Sequence, residues 1–208
     1  METITAYHVV TDRPMTVGQH IIFDEEHHSG VYTRVMALAD TAADVYAHPE
    51  NYPLPLEHHL DVALRELAME EVRREKYPQY PSRMACLYVS RELEESQRWG
   101  EFFAQIGRPT YAIVELKITG RVFVGNACNC FDGTPDKAAN LAMAERYWQN
   151  RPNTEDGEIR EVLATATSKL SALCKKSTPI FRNKKGAASA RGGCSRFLFS
   201  ASVYKGPE

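Results

Sequence analysis

Apolar residues recur at helical spacing most clearly over residues 59–76. The positions that fall on one side of such a helix are Leu60, Ala63, Leu64, Leu67, Ala68 and Val72. The charged positions on the other side are Arg65, Glu66, Glu70, Arg73 and Arg74. This pattern predicts an amphipathic helix whose charged side chains lie in solvent and form ion pairs four residues apart.

Other segments show the β-branched, aromatic or alternating pattern of strands. The predicted strands are 3–11, 84–90, 110–118, 159–173 and 195–204. Thr119-Gly120 predicts a hairpin from 110–118 into 121–125. Two more helices are predicted, one over 91–106 and one that opens at 132–135 and reaches Trp148. The segment 12–30 is predicted as a loop. The segment 30–37 is predicted as a short strand or a helix, and 39–46 as weakly helical. The mixture predicts an α+β fold of mostly antiparallel strands with three inserted helices.

Composition restricts the class of protein. The chain has 208 residues, of which 43% are hydrophobic and 25% charged, as expected for a globular domain. No apolar run approaches the roughly 20 residues of a membrane span, and the first residues lack the features of a Sec-type signal peptide. The five cysteines are an odd number, which favours reduced thiols in a cytosol-like compartment.

Charge is distributed unevenly along the chain. The net charge is −2, yet residues 175–208 carry eight Lys or Arg residues against the single acidic Glu208. We predict a catalytic domain over 1–174 and a basic, partly mobile extension over 175–208 that ends in a possible strand. A basic extension on an acidic body suggests contact with an anionic surface, and a solvated tail is the alternative.

Candidate chemistry centres on two aromatic residues. Tyr88 lies in an apolar strand that ends at Ser90, and Trp99 lies in the helix that follows. Two such rings can hold one flat ligand by stacking. Tyr7-His8 near the start of the chain and Glu161 near its end complete the pattern.

These patches resemble the ADP-ribosyltransferase superfamily, in particular its His-Tyr-Glu branch with the poly-ADP-ribose polymerases. The chain also resembles a bacterial family of uncharacterised proteins of that superfamily. The similarity covers about 1–170 and rests on Tyr7-His8-Val9-Val10-Thr11, on Leu87-Tyr88-Val89-Ser90 with Ser96-Gln97-Arg98-Trp99, and on Glu161-Val162-Leu163. It implies a split β-sheet core and NAD as a substrate, with no metal.

The resemblance also implies roles for individual residues. Glu161 would stabilise the cation that forms when the nicotinamide–ribose bond of NAD breaks, and Glu158 is the alternative carboxylate. Tyr88 and Trp99 would hold nicotinamide, although Tyr is usual in the branch where Trp99 stands. His8 would bond to a ribose hydroxyl, and Ser90 and Arg83 would bond to amide or phosphate groups. Thr11 is also expected to contact NAD.

The expected reaction is mono-ADP-ribosylation of a macromolecule. Ile159 stands two residues before Glu161, where arginine-modifying relatives carry Glu or Gln, so a protein side chain other than arginine is the favoured acceptor. This points to a toxin or effector that acts in the bacterial cytoplasm or in the cytosol of a target cell. The alternatives are a nucleic-acid acceptor, NAD hydrolysis, movement of a 2′-phosphate, and a protein-binding module without activity.

Each of these residues can instead have a purely structural role. His8, Tyr88 and Trp99 can be ordinary core residues, and Glu161 and Arg83 can face solvent. A zinc site at Cys128-Asn129-Cys130 lacks the usual ligand spacing, and Cys86 lacks a histidine partner for nucleophilic catalysis. The glycines form neither a dinucleotide fingerprint nor a phosphate loop.

Overall fold

The computed structural model describes residues 2–11, 14–24, 26–108, 110, 112–153 and 159–173. The basic extension 175–208, its predicted strand 195–204 and the alternative carboxylate Glu158 lie outside these residues. The described helices are α1 (Gly30–Met36), α2 (Ala39–Ala47), α3 (His58–Lys76), α4 (Leu93–Gln105) and α5 (Lys137–Trp148). Short 3-10 turns occur at Pro49–Asn51 and Ala127–Asn129.

Seven described strands form two antiparallel sheets, which confirms the α+β class. The strands are β1 (Glu2–Val10), β2 (His20–Phe23), β3 (Leu87–Val89), β4 (Ala112–Gly120), β5 (Val122–Asn126), β6 (Arg160–Ala164) and β7 (Ala166–Leu173). The first sheet has the order β1-β4-β7-β2 and the second has the order β3-β6-β5. Apolar side chains from both sheets, among them Val10, Val89, Leu116 and Val162, share one core cluster.

The predicted hairpin at Thr119-Gly120 is wrong, because β4 and β5 belong to different sheets. At this point the chain passes close to Thr165: a Cβ on Gly120 would lie 1.8 Å from the Thr165 carbonyl oxygen. The backbone N–H of Arg121 donates to Thr165 Oγ1 at 3.1 Å, and Thr165 N–H donates to the Arg121 carbonyl at 3.0 Å. The predicted strand 159–173 is likewise divided at Thr165, so both chain segments cross between the sheets side by side.

Most of the charged side of α3 is buried, contrary to the prediction. Arg74 is exposed and pairs with Glu70 four residues earlier, as predicted. Arg65 and Glu66 are only 1% and 2% exposed, and Glu70 and Arg73 are also buried. The prediction failed because other segments supply partners that local sequence does not reveal. Arg83, which precedes β3, donates to Glu66, and the carbonyl of Phe131 accepts from Arg65.

Smaller differences concern element boundaries. The predicted loop 12–30 contains β2, and the ambiguous segment 30–37 forms helix α1, so the described part has five helices rather than three. The predicted strand 84–90 is reduced to β3, because Met84 to Cys86 lie in a turn. None of the described helices combines the length and the apolarity that crossing a membrane requires.

Candidate functional site

The two sheets meet where β1 passes the end of β3. Tyr7 and Ser90 exchange backbone hydrogen bonds of 2.8 Å in both directions. Helix α4 covers this junction, since Ser96 Oγ donates to the Tyr7 carbonyl at 3.2 Å. Helix α4 is therefore held against the place where the two sheets meet.

A cavity of about 170 Å³ opens at this junction. Its lining includes all seven residues that the sequence nominated, namely His8, Thr11, Arg83, Tyr88, Ser90, Trp99 and Glu161. These residues come from β1 and the residue after it, from β3 with the residues on either side of it, from α4 and from β6. The structure thus brings together residues that are as many as 153 positions apart in the chain (from His8 to Glu161).

Glu161 presents two oxygens in different environments. Its side chain is 4% exposed, and Oε1 accepts hydrogen bonds from Arg83 Nη1 at 2.8 Å and from the Tyr147 hydroxyl at 2.7 Å. Its Oε2 is buried and has no hydrogen-bond partner among the described residues. A buried acceptor without a donor is unfavourable, so Oε2 is suited to receive a hydrogen bond from a bound molecule.

Arg83 connects Glu161 to a buried chain of alternating charges. Arg83 Nε donates to Glu66 Oε2 at 2.9 Å, and Arg65 Nε donates to Glu66 Oε1 at 3.2 Å. Burial alone would raise the pKa of Glu66, but the charges of Arg83 and Arg65 outweigh it and lower that pKa. Burial would lower the pKa of Arg83, whereas the carboxylates of Glu161 and Glu66 raise it well above its ordinary value.

These contacts change the expected role of Arg83. The sequence suggested that its guanidinium anchors amide or phosphate groups of a ligand. In the structure the guanidinium is 4% exposed and bonds to Glu66, Glu161 and Tyr147. The contacts of Arg83 therefore support holding a carboxylate in place rather than binding a phosphate.

The two aromatic candidates lie in different surroundings. The Arg83 guanidinium carbon lies 5.5 Å from the centre of the Tyr88 ring, and the Tyr88 hydroxyl donates to the Arg83 carbonyl at 3.3 Å. Burial raises the pKa of Tyr88 well above its ordinary value, so its phenol stays neutral. Trp99 packs in an aromatic group with Phe102 and Phe103, at ring-centre distances of 5.8 and 5.9 Å.

The polar candidates complete the lining. His8 Nδ1 lies 2.8 Å from the Tyr88 carbonyl oxygen. Because a carbonyl can only accept, Nδ1 donates in this contact. Thr11 and Ser90 are 8% and 4% exposed. The cavity therefore combines aromatic surface with a few fixed polar groups, as ligand sites commonly do.

Two residues of this site escaped the sequence analysis. Tyr147 lies near the end of α5, and Glu66 was assigned to the solvated side of α3. One signal was available for Glu66. Met69 stands nine positions after Leu60, about 180° around the helix, so an apolar residue lies in the middle of the supposed solvated side. No local pattern distinguishes Tyr147 from an ordinary core tyrosine.

The cysteines do not offer a second reactive centre in the described part of the chain. Cys86, Cys128 and Cys130 are buried and form no disulfide with a described residue. Burial raises the pKa of Cys86 strongly and that of Cys130 to about 12, which leaves both as unreactive thiols at neutral pH. Among the described residues, no group of three or more His, Cys, Asp or Glu side chains is arranged to hold a metal ion.

The comparison of the sequence with family models identifies its relatives. The model described as "Protein of unknown function (DUF2441)" matches residues 6–173. The chain belongs to this family. The matched region of DUF2441 includes all seven nominated residues as well as Glu66 and Tyr147. No curated protein matches the chain.

The buried ion pairs of this DUF2441 protein predict how its stability depends on pH. Burial opposes ionisation of Glu70, but hydrogen bonds from Arg73 and Ser82 prevail and lower its pKa, as the arginines do for Glu66. Both carboxyls bind protons less readily when folded. Their stabilisation is therefore present above the ordinary Glu pKa of about 4.3 and is lost as the pH falls through their folded values.

We expect the free energy of unfolding to decrease steadily from about pH 5 to pH 3. Urea titrations across this range measure it. In Glu70→Gln the decrease should be shallower, because one of the two carboxyls with a lowered pKa is gone. A stability that is constant or rises on acidification would contradict the assignment of these ion pairs.

Proposed function

We propose that this protein is an NAD-dependent mono-ADP-ribosyltransferase. One observation carries the proposal: the buried carboxylate of Glu161, with Oε2 lacking a partner among the described residues, shares one cavity with Tyr88 and Trp99. Cleavage of a glycosidic bond to a flat cationic base requires a carboxylate at the sugar and an aromatic surface at the base. The two sheets, joined at the Tyr7–Ser90 bridge, support an ADP-ribosyltransferase-like split core.

The size of the cavity fits one ring of the dinucleotide. A cavity of about 150 Å³ in another protein accepts benzene, and the cavity at the sheet junction measures about 170 Å³. Nicotinamide, a single substituted ring, would occupy it beside Tyr88 and Trp99. The sugar next to nicotinamide would then meet Glu161, which lines the same cavity, and the rest of NAD would pass over the rim.

The proposed reaction breaks the bond between C1′ of the ribose and the nicotinamide nitrogen. Its electron pair goes to the ring, which leaves as neutral nicotinamide, and the ribose gains positive charge at C1′. Glu161 stabilises that charge and accepts a hydrogen bond from a ribose hydroxyl at Oε2. An acceptor nucleophile then bonds to C1′ and releases its proton to solvent.

The hydrogen-bond donors around Glu161 orient its carboxylate toward the substrate, because they bond to only one of its two oxygens. Arg83 and Tyr147 both bond to Oε1, which fixes the carboxylate and leaves Oε2 for the substrate. Burial raises the pKa of Tyr147, so its hydroxyl remains a donor. His8, Thr11 and Ser90 supply polar groups for the ribose and carboxamide of NAD.

The acceptor is proposed to be a macromolecule, with a protein side chain other than arginine favoured over nucleic acid. The test is incubation of the protein with a cell lysate and NAD labelled in its adenine half. Label on material that is sensitive to protease supports a protein acceptor, and label on material sensitive to nuclease supports the alternative. Release of nicotinamide without labelled macromolecules indicates NAD hydrolysis, and no release at all contradicts enzymatic use of NAD.

Replacement of Trp99 tests the stacking contact. We expect Trp99→Ala to weaken NAD binding by about 1–3 kcal/mol, the range found when aromatic stacking on a nucleic-acid base is removed. Trp99→Phe, which keeps a ring, should retain most of the affinity. Isothermal titration with NAD measures both, and an unchanged affinity in Trp99→Ala would mean that Trp99 only packs against Phe102 and Phe103.

A further inference from the structure

Glu66 is buried behind Arg83 and has no part in the reaction described above. It comes from α3, is 2% exposed and does not line the cavity. Its carboxylate is ionised, because the charges of Arg83 and Arg65 lower its pKa. Its contact with Arg83 nevertheless bears on which oxygen of Glu161 faces a substrate.

The nitrogens of the Arg83 guanidinium are divided between two carboxylates. Nε donates to Glu66 Oε2 at 2.9 Å, and Nη2 donates to Glu66 Oε1 at 3.4 Å. These two nitrogens form one edge of the planar group, the kind of edge that pairs side by side with a carboxylate. Nη1 remains, and it donates to Glu161 Oε1 at 2.8 Å. Arg83 therefore contacts Glu161 through a single nitrogen.

Tyr147 adds a second donor to the same oxygen. Its hydroxyl oxygen accepts from Arg83 Nη1 at 2.7 Å, so its own proton is directed to Glu161 Oε1, which lies 2.7 Å away. Oε1 thus has two donors, whereas Oε2 has none among the described residues. A guanidinium that offered two nitrogens to Glu161 would satisfy both oxygens at once, as arginine–carboxylate pairs frequently do.

We propose that Glu66 is a positioning residue, which holds the Nε–Nη2 edge of Arg83 and so prevents Arg83 from pairing with both oxygens of Glu161. The kinetic consequence rests on the proposed function, because a ribose hydroxyl at Oε2 is what requires that oxygen to stay open. The arrangement of the three side chains does not rest on it. Arg65 keeps Glu66 in place from the other side, since its Nε donates to Glu66 Oε1 at 3.2 Å.

Replacement of Glu66 by glutamine tests this role. The amide nitrogen donates and cannot accept, so the hold on Arg83 weakens and the guanidinium can turn to offer Nη1 and Nη2 to Glu161. We expect kcat for nicotinamide release to fall about tenfold, less than the hundredfold to thousandfold loss of an electrostatic catalytic group itself. The affinity for NAD should stay that of the wild type. Glu66→Asp, which keeps the charge at a greater distance from Arg83, should retain more of kcat than Glu66→Gln.

Glu70→Gln is the matched control. Glu70 lies one turn later in α3, is also buried and pairs with Arg73 and Arg74, neither of which lines the cavity. This variant should lose stability but keep its kcat. Urea unfolding of each variant establishes that the assays use folded protein. A crystal structure of Glu66→Gln shows the arrangement directly, and we expect Arg83 within hydrogen-bond distance of both oxygens of Glu161.

The outcomes separate this inference from the proposed function. A lower kcat at unchanged NAD affinity in Glu66→Gln, but not in Glu70→Gln, supports the positioning role. Wild-type kcat in Glu66→Gln, or in Glu66→Asp where the glutamine variant does not fold, overturns it and leaves the proposed function intact. If the wild type does not cleave NAD, the proposed function is overturned, and the crystal structure of the folded variant decides the arrangement. Arg83 on both oxygens of Glu161 then supports it, and an Oε2 still without a donor overturns it.

Discussion

Glu161→Gln is expected to abolish NAD turnover while leaving NAD affinity nearly unchanged. The amide keeps the shape of the side chain and can still accept from Arg83 and Tyr147, but it cannot oppose the positive charge that develops on the ribose. Loss of a single electrostatic group in other active sites lowers kcat by about a hundredfold to a thousandfold. Nicotinamide release measures turnover, and titration with NAD measures affinity.

A buried carboxylate outside the cavity provides the control. Glu70 is 9% exposed and pairs with Arg73 and Arg74 at 2.8 Å, yet it does not line the cavity. Glu70→Gln should therefore lose stability but keep its turnover when assayed well below its melting temperature. Equal activity in Glu161→Gln and wild type would remove Glu161 from the reaction, and equal loss in both variants would point to a stability effect.

Arg83→Met is expected to destabilise the fold by about 3–5 kcal/mol, the range for breaking a buried ion pair from one side. Arg83 is 4% exposed and serves Glu161 and Glu66 simultaneously. Its removal leaves Glu161 buried without a cation and Glu66 with Arg65 alone. Denaturant unfolding monitored by circular dichroism measures the change.

An exposed ion pair of the same length is the comparison for this prediction. Arg74 lies 2.8 Å from Glu70, but its side chain is 75% exposed. Arg74→Met should change stability by no more than about 1 kcal/mol, because solvent screens the pair. The double variant Arg83→Met with Glu161→Gln should recover part of the loss, since it removes the stranded charge. No difference between Arg83→Met and Arg74→Met would show that the buried network contributes little.

The sequence predicted the parts of the fold that depend on local pattern. Helices α3, α4 and α5 and strands β1 and β4 follow from periodicity, which reports the side of an element that faces the core. The passage of the chain from one sheet to the other at Gly120 does not follow from local pattern, because Thr-Gly favours a turn whether or not the next strand joins the same sheet. Only the contact with Thr165, which is 45 positions later in the chain, decides it.

The candidate site was likewise predicted only in part. Tyr88, Trp99 and Glu161 were nominated by residue type and order, and the structure brings them to one cavity. The burial of Glu66 and the position of Tyr147 depend on Arg83 filling the space between α3, α5 and β6. An arginine after a proline turn has the same local pattern on a surface as in a core, so its buried role was beyond sequence reasoning.

A crystal structure of Glu161→Gln with NAD tests the central claim most directly, since this variant is expected to bind the dinucleotide without consuming it. We expect the nicotinamide ring beside Tyr88 and Trp99, and a ribose hydroxyl within hydrogen-bond distance of the residue 161 side chain. NAD bound with its nicotinamide outside this cavity, or a cavity that stays empty at saturating NAD, would contradict it.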